Sequence, residues 1–340
     1  MEINEERLKK TLDKSKPFIN IVFDCNLQSG SFMKKKYTIL QQLIIAVNSI
    51  KTRWKNISYN INLIHTDTHD SHTADILEKL GVITYKVDPD WASGRYNLAR
   101  SKSYTHILKK NGTHRLIMDC DIIAINELLL NEKAWESDIN VMYEYNTNVV
   151  RNQDLYNTMV SFLCNKFDLK QPTKKFVTSD NKWCNNYHIT GQHLDCPYFN
   201  PGVVLIKEEI AYNFGCLYKK LWKLASGEIK IPSDLGKIKS WKIMQVAMSI
   251  YMQELASNLN VFPGGVNMIP YLVPVYEKFK NFENCQILHC CHFGYVVVDS
   301  LANHYLDNAD NFLGNEFFYT EALKYKDFSI SKLKKLRCGF

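Results

Sequence analysis

Leu116-Ile117-Met118-Asp119-Cys120-Asp121-Ile122-Ile123-Ala124-Ile125 sets two carboxylates, spaced i and i+2, between two apolar runs of about strand length. A continuous apolar run bounded by polar residues reads as a fully buried strand rather than a half-exposed alternating one. In an extended chain, residues i and i+2 point to the same face. Asp119 and Asp121 are therefore expected to project together from one strand or from its C-terminal end. Two carboxylates amid so much buried surface repel each other and lose hydration. A divalent cation removes both penalties, and hard oxygen ligands suit Mg²⁺ or Mn²⁺. The plainer alternative is that one or both acids cap a helix or sit in a turn, since Asn126-Glu127 follows.

Length and composition narrow the classes. The chain has 340 residues, enough for one large α/β domain or two small ones. At 46 % apolar and 23 % charged it has the balance of an ordinary globular protein. No apolar run approaches the roughly 18 residues that span a bilayer, and residues 1–16 are charged throughout, without the apolar core of a signal peptide. Ten cysteines lie scattered without C-x-x-C pairs, which argues against a disulfide framework or zinc ribbon and for reduced thiols. The expected compartment is cytoplasmic. A formal charge of +7 suits polyanionic ligands such as diphosphates. The basic residues are dispersed and carry no nucleic-acid-binding signature, so no nucleic-acid partner is expected.

Along the chain, Phe18–Phe23 reads as a strand with Asp24-Cys25-Asn26 at its C-terminal end, the edge where ligands bind in open α/β sheets. Turn chemistry would explain Asp24 and Asn26 equally well. Helical spacing of Leu40, Leu43, Ile44 and Val47 predicts a helix over 37–50. Strand 61–65, helix 74–80 and strand 82–87 follow, and this alternation predicts a mainly parallel sheet. His65, at a strand end, reads as a turn residue rather than a ligand. Residues 94–104 open a helix carrying Arg95, Arg100 and Lys102 near its start. Cations oppose the helix dipole there, which makes sense if an anion lies between; a solvated basic face is the alternative. Ile139 to Tyr145 predicts another strand, and 146–196 lacks clear periodicity, as a long functional insertion would. Asn200-Pro201-Gly202 precedes the apolar run Val203–Ile206, which puts Asn200 at a strand entrance. Amphipathic helices are expected within 207–236 and over 241–259. Ile287-Leu288-His289 predicts a strand that ends in histidine, with Cys290-Cys291-His292 next; on spacing alone that cluster could bind zinc.

Five of these segments, in order, resemble glycosyltransferase family 8 of the GT-A superfamily, the family of glycogenin and of bacterial lipopolysaccharide galactosyltransferases. They are the strand ending in Asp24 and Asn26, the helix with Arg100 and Lys102, Asp119-x-Asp121, Phe199-Asn200-Pro201-Gly202-Val203-Val204-Leu205-Ile206, and Ile287-Leu288-His289. The resemblance implies an α/β GT-A fold, Rossmann-like, with a mixed, mostly parallel sheet flanked by helices. It implies one catalytic domain over 1–300, with the irregular insertion at 146–196, and a helical C-terminal extension over 301–340. The implied activity is metal-dependent transfer of a sugar from a nucleoside-diphosphate sugar, UDP-linked, to a glycan or other hydroxyl acceptor, with retention of configuration.

In roles carried over from the family, Asp119, Asp121 and His289 would hold Mn²⁺ or Mg²⁺, with His292 as the fallback ligand. Asp24 and Asn26 would hold the nucleoside, Arg100 and Lys102 the phosphates or donor sugar, and Asn200 the donor sugar. Gln245 would face the anomeric centre. The sequence departs from the family in three places: Met244 replaces the acid that normally precedes that Gln, the glycine after His289 arrives two residues late, and a following lysine is missing. An inverting enzyme would need a carboxylate base, for which Asp195 is the candidate. The basic C-terminus, Lys332 to Arg337, is compatible with peripheral membrane contact. Two other classes remain open: a phosphatase or phosphotransferase of the haloacid-dehalogenase kind using D-x-D, and a non-catalytic sugar-nucleotide-binding module.

Overall fold

The structure, a computed structural model, describes residues 17–25, 27, 37–87, 108, 112–143, 153–171, 199–225, 230–232, 235, 240–262, 266, 285–290 and 299–306. Its elements, in chain order, begin β1 (Phe18–Asp24), α1 (Ile39–Arg53), β2 (Ser58–His65), α2 (Ser71–Lys79), β3 (Val82–Lys86), β4 (His114–Met118) and β5 (Ile122–Ala124). They continue α3 (Glu132–Glu136), β6 (Ile139–Tyr143), α4 (Gln153–Phe167), β7 (Phe199–Lys207), α5 (Glu208–Ala225), α6 (Ser240–Leu255), β8 (Leu259–Val261), β9 (Ile287–His289) and α7 (Asp299–Leu306).

Seven strands form one sheet in the order β3-β2-β1-β4-β7-β6-β8. β1 pairs in parallel with β2 and β4, β2 with β3, and β6 with β8. β7 alone runs backwards, antiparallel to both β4 and β6. The fold is thus mixed α/β with a largely parallel sheet flanked by helices, as the alternation of elements predicts. Burial follows position in the sheet. The central β4 is buried at every residue, as its unbroken apolar run predicts, whereas the edge strand β3 is mostly exposed. β5 and β9 form a separate antiparallel pair.

α1 starts with a capping box in which Thr38 Oγ1 accepts from Gln41 N–H and the Gln41 side chain accepts from Thr38 N–H. Its burial extends beyond the apolar stripe read from sequence, to Gln42, Ser49 and Arg53. The reason is a second partner. α1 packs on β5 and also on α7, where Asn48 Nδ2 donates to Tyr305 O and Arg53 Nε donates to Tyr305 Oη, both at 2.8 Å. α7 spans the proposed 300/301 division. The stretch 146–196, which shows no clear periodicity, contains α4; Met159, Val160, Leu163 and Cys164 are buried on it, and it packs on α6. α4 ends without a glycine: Asp168 takes the left-handed conformation (φ 53°), and Leu169 N–H returns to Cys164 O. Among the described residues no helix is long and apolar enough to cross a membrane.

Candidate metal centre

β1 and β4 lie side by side in parallel, with Phe23 opposite Met118. The next residues, Asp24 and Asp119, therefore leave the sheet at the same C-terminal edge, where α/β folds bind ligands. Because β7 is reversed, its start arrives at that edge too: Met118 faces Val203, and Asp119 N–H donates to Gly202 O at 2.9 Å. Asn200 and Gly202 are thus brought to the edge where the parallel strands end. Asn200 lies within β7, one residue in from its start.

The D-x-D segment itself departs from the sequence expectation. The two apolar runs around it are separate strands in separate sheets, and Asp119 and Asp121 sit in the connection between them. The same-face rule for an extended strand therefore does not bring them together. β9 does. Ile122 pairs with His289, and Cys290 N–H donates to Asp121 O at 2.6 Å. His289 Nε2 lies 3.3 Å from Asp121 Oδ1 and 3.6 Å from Asp119 Oδ2. One ligand atom from each of the three residues falls within 4.8 Å of the others. All three are at least nine-tenths buried, at 9 %, 8 % and 5 % exposure for Asp119, Asp121 and His289.

An isolated two-stranded pair is marginal in water, so β5–β9 needs its surroundings. Its residues are all buried. Ala124 N–H donates to Ser49 Oγ of α1 at 2.9 Å, Ile125 N–H to Gln286 O at 2.8 Å, and Asn126 Nδ2 to Cys285 O at 2.5 Å. These bonds hold the strand carrying His289 in register with the strand after Asp121.

Gly202 makes room for the histidine. A Cβ at this position would lie 2.4 Å from His289 Cε1, 2.5 Å from its Nδ1 and 2.8 Å from Asn200 Oδ1. The same glycine donates its N–H to Asn200 Oδ1 at 2.7 Å, so one residue both seats the imidazole and orients the asparagine. Nothing in the sequence reading gave Gly202 this role, although a glycine within a strand pattern is a signal of close approach.

At most one positive charge, on His289, can oppose the two carboxylates within this cluster. The Cys25 thiol, just past the end of β1, is pushed well above its usual range, first by its hydrogen bond with Cys120 and then by burial. Two carboxylates and an imidazole form a donor set of hard oxygen with one nitrogen, which fits Mn²⁺ or Mg²⁺.

Asp24 is buried at the end of β1. Gln245 is buried near the start of α6, and its carbonyl accepts from Ser249 Oγ at 2.9 Å. Ser249 Oγ in turn accepts from Phe199 N–H at 2.9 Å. This relay docks the helix of Gln245 onto the start of the strand of Asn200. Neither Ser49 nor Ser249 stands out in the sequence, because a buried serine shows its partner only once the elements are packed. Asn26, Arg100, Lys102, Asp195 and His292, the helix expected at 94–104 and the basic stretch 332–337 lie outside the described residues.

The chain matches no protein-family model and no curated protein. Among solved structures it is similar to the galactosyltransferase LgtC in complex with donor and acceptor sugar analogues, at 13 % identity over 93 % of this chain and 99 % of that one, TM-score 0.47. It is similar to the glycosyltransferase GlyE of Streptococcus pneumoniae TIGR4, at 13 % identity over 91 % of this chain and 63 % of that one, TM-score 0.45. A third is mouse xyloside xylosyltransferase 1, at 15 % identity over 82 % of this chain and 99 % of that one, TM-score 0.42. The fold stands on its own strand order and register.

Proposed function

We propose that this chain is a metal-dependent glycosyltransferase of GT-A type that moves a sugar from a nucleoside-diphosphate sugar, UDP-linked, to a hydroxyl of a glycan or other acceptor. The observation that carries the reading is the meeting of Asp119, Asp121 and His289 at the edge where β1 and β4 end and β7 begins. The donor set fits a hard divalent cation, and Gly202 leaves the imidazole the space it needs. A bound Mn²⁺ or Mg²⁺ supplies Lewis-acid neutralisation of charge growing on a leaving diphosphate.

The chain's own residues would do the rest. Asp119, Asp121 and His289 hold the cation, and Asn200, fixed by Gly202 N–H, orients the donor sugar. Asp24, with Asn26, grips the nucleoside. Arg100 and Lys102 add positive charge toward the phosphates, where electrostatic preorganisation contributes most to an oxocarbenium-like transfer. Gln245 faces the anomeric centre, as its docking beside the start of β7 supports, and retention of configuration goes with that assignment. Inversion would instead assign the base to Asp195.

Met244, standing where the family has an acid, favours one further reading: a module that binds sugar nucleotides without turnover. Incubation with a panel of UDP-sugars and Mn²⁺ tests both. Release of UDP, accelerated by acceptor glycans, supports transfer. Tight binding without release supports the module, and phosphate release from simple esters would instead indicate a phosphatase.

A further inference from the structure

A second group of side chains that could hold a metal shares no residue with Asp119, Asp121 and His289. It lies in the connection His65-Thr66-Asp67-Thr68-His69-Asp70 between β2 and α2. Both ends of this connection are fixed. His65 closes β2, and its carbonyl accepts from Val87 N–H at 2.8 Å. Asp70 caps α2, its Oδ1 accepting from Thr73 N–H at 2.7 Å. The chain between must turn sharply, and it stacks the two imidazoles at 3.9 Å with 22° between their planes.

The Asp67 carboxylate lies beside this stack, near one nitrogen of each ring. Its Oδ1 is 3.4 Å from His65 Nδ1 and 3.4 Å from His69 Nε2, and the three side chains are only 7 %, 12 % and 8 % exposed for His65, Asp67 and His69. A separation of 3.4 Å is long for an N–H···O bond. It is instead close to the edge of a tetrahedron whose metal–ligand bonds are about 2.0–2.1 Å, an edge of about 3.3–3.4 Å, and a shared ion would require one imidazole to swing out of the stack so that both in-plane lone pairs meet it. His69 Nε2 is buried and makes no hydrogen bond. His65 Nδ1 also lies 3.0 Å from the carbonyl oxygen of Asp67, so an ion taken up there replaces the proton donated to that carbonyl.

We propose that His65, Asp67 and His69 form a second metal site, suited to a borderline transition ion such as Zn²⁺ rather than to Mg²⁺ or Mn²⁺. Two imidazoles with one carboxylate select for zinc-like ions, whereas the carboxylate-rich set at Asp119, Asp121 and His289 selects for hard ones. The site would clip the β2–α2 connection at the C-terminal edge of the sheet, and it does not depend on the proposed transferase activity.

Full-length protein stripped with a chelator and titrated with Co²⁺ tests this, because tetrahedral Co²⁺ absorbs strongly in the visible and octahedral Co²⁺ only weakly. The wild type is expected to develop the strong bands. His69→Gln should lose them and bind one ion fewer per chain, while Asp121→Asn should keep them. Strong bands that survive in a folded His69→Gln would overturn the proposal, as would their absence from the wild type. X-ray absorption on the Zn²⁺-loaded wild type covers the case in which the variants do not fold. Two imidazoles and no sulfur support the site, whereas a Zn–S shell at about 2.3 Å would place the ion on cysteines and refute it.

Discussion

The two ends of β4 handle buried charge in opposite ways. Near its start, Arg115 Nε donates to Glu208 Oε2 at 2.6 Å, and the second guanidinium nitrogen reaches Glu208 Oε1 and, at 3.3 Å, the Leu108 carbonyl. This is a bidentate pair between β4 and the first residue of α5, with its partner built in. Just past the end of β4, Asp119 and Asp121 share one imidazole between them. A buried pair that neutralises itself holds elements together without a further charge. A cluster whose like charges outnumber their counter-charge is relieved either by a bound cation or by protonation of one carboxylate. Charge at the opening of the strand thus serves the fold, whereas charge at its close is what the proposed metal site would use.

The strongest way to break that contrast is Asp121→Asn. Removing one ligand should cut Mn²⁺-dependent transfer by about 10³-fold, the several kcal/mol that a Lewis acid contributes to a leaving group. Without metal, the same variant should unfold at the same denaturant concentration as wild type or a higher one, since it relieves a like-charge pair. Unchanged Mn²⁺-dependent UDP affinity in this variant would defeat the site.

Glu208→Gln is the mirror case. It leaves Arg115 buried without its counter-charge and should cost about 3–5 kcal/mol of unfolding free energy, measured by urea titration, with little change in turnover by the folded fraction. Replacing both residues with leucine should recover much of that loss. Should Glu208→Gln instead abolish activity at full stability, the division between the two ends would collapse.

Gly202→Ala sharpens the comparison at closer range. A methyl group 2.4 Å from His289 Cε1 must displace the ring, so metal affinity should fall about 10–100-fold, as for loss of a group that orients a ligand. Isothermal titration with Mn²⁺ reads this directly. Wild-type affinity in the variant would mean that His289 is not a ligand.

The smallest effect belongs to Asp138, a third mode of handling charge. Its carboxylate accepts from Ser257 Oγ at 2.6 Å, Ser257 N–H at 2.9 Å and Asn258 N–H at 3.1 Å, and pairs with Lys207 Nζ at 3.1 Å. Burial alone would raise its pKa, but the bonds from Ser257, Lys207 and Asn258 prevail and lower it. A carboxylate depressed in the folded state stabilises above its unfolded pKa, about 3.9, and loses that contribution as pH falls through the lower folded value. Asp138→Asn should therefore cost on the order of 1 kcal/mol at neutral pH, since the Lys207 pair is partly exposed. The gap to wild type should close below pH of about 4. A gap independent of pH would show that the packing of Asp138 matters more than its charge.

Much of the scaffold is legible in the chain because burial leaves periodic marks. The runs at 18–23, 61–65, 116–118 and 203–206 are apolar because central strands are covered on both faces, and each is a strand of the main sheet. α4 was not legible: its buried face lies within a polar context, and Asp168 rather than glycine ends it. Ser49 and Ser249 were equally silent, since a serine that bridges a strand to a helix looks like any other serine. The sequence marks Asp119 and Asp121 as a pair, but strand alternation is an incomplete reason for their meeting. Strand alternation does not aim these side chains together; the pairing of Ile122 with His289 does.

The sequence by itself marked most strands of the main sheet, the helices α1, α2, α5 and α6, and the residue types that could hold a cation, because side-chain hydrophobicity and ligand chemistry are local properties. Tertiary structure alone decided that β7 runs backwards, that β5 leaves the main sheet to pair with β9, and that Gly202 lies against His289. Those outcomes depend on hydrogen-bond register and close packing between segments far apart in the chain, and no local pattern encodes the distance between two side chains that meet only after the sheet has formed.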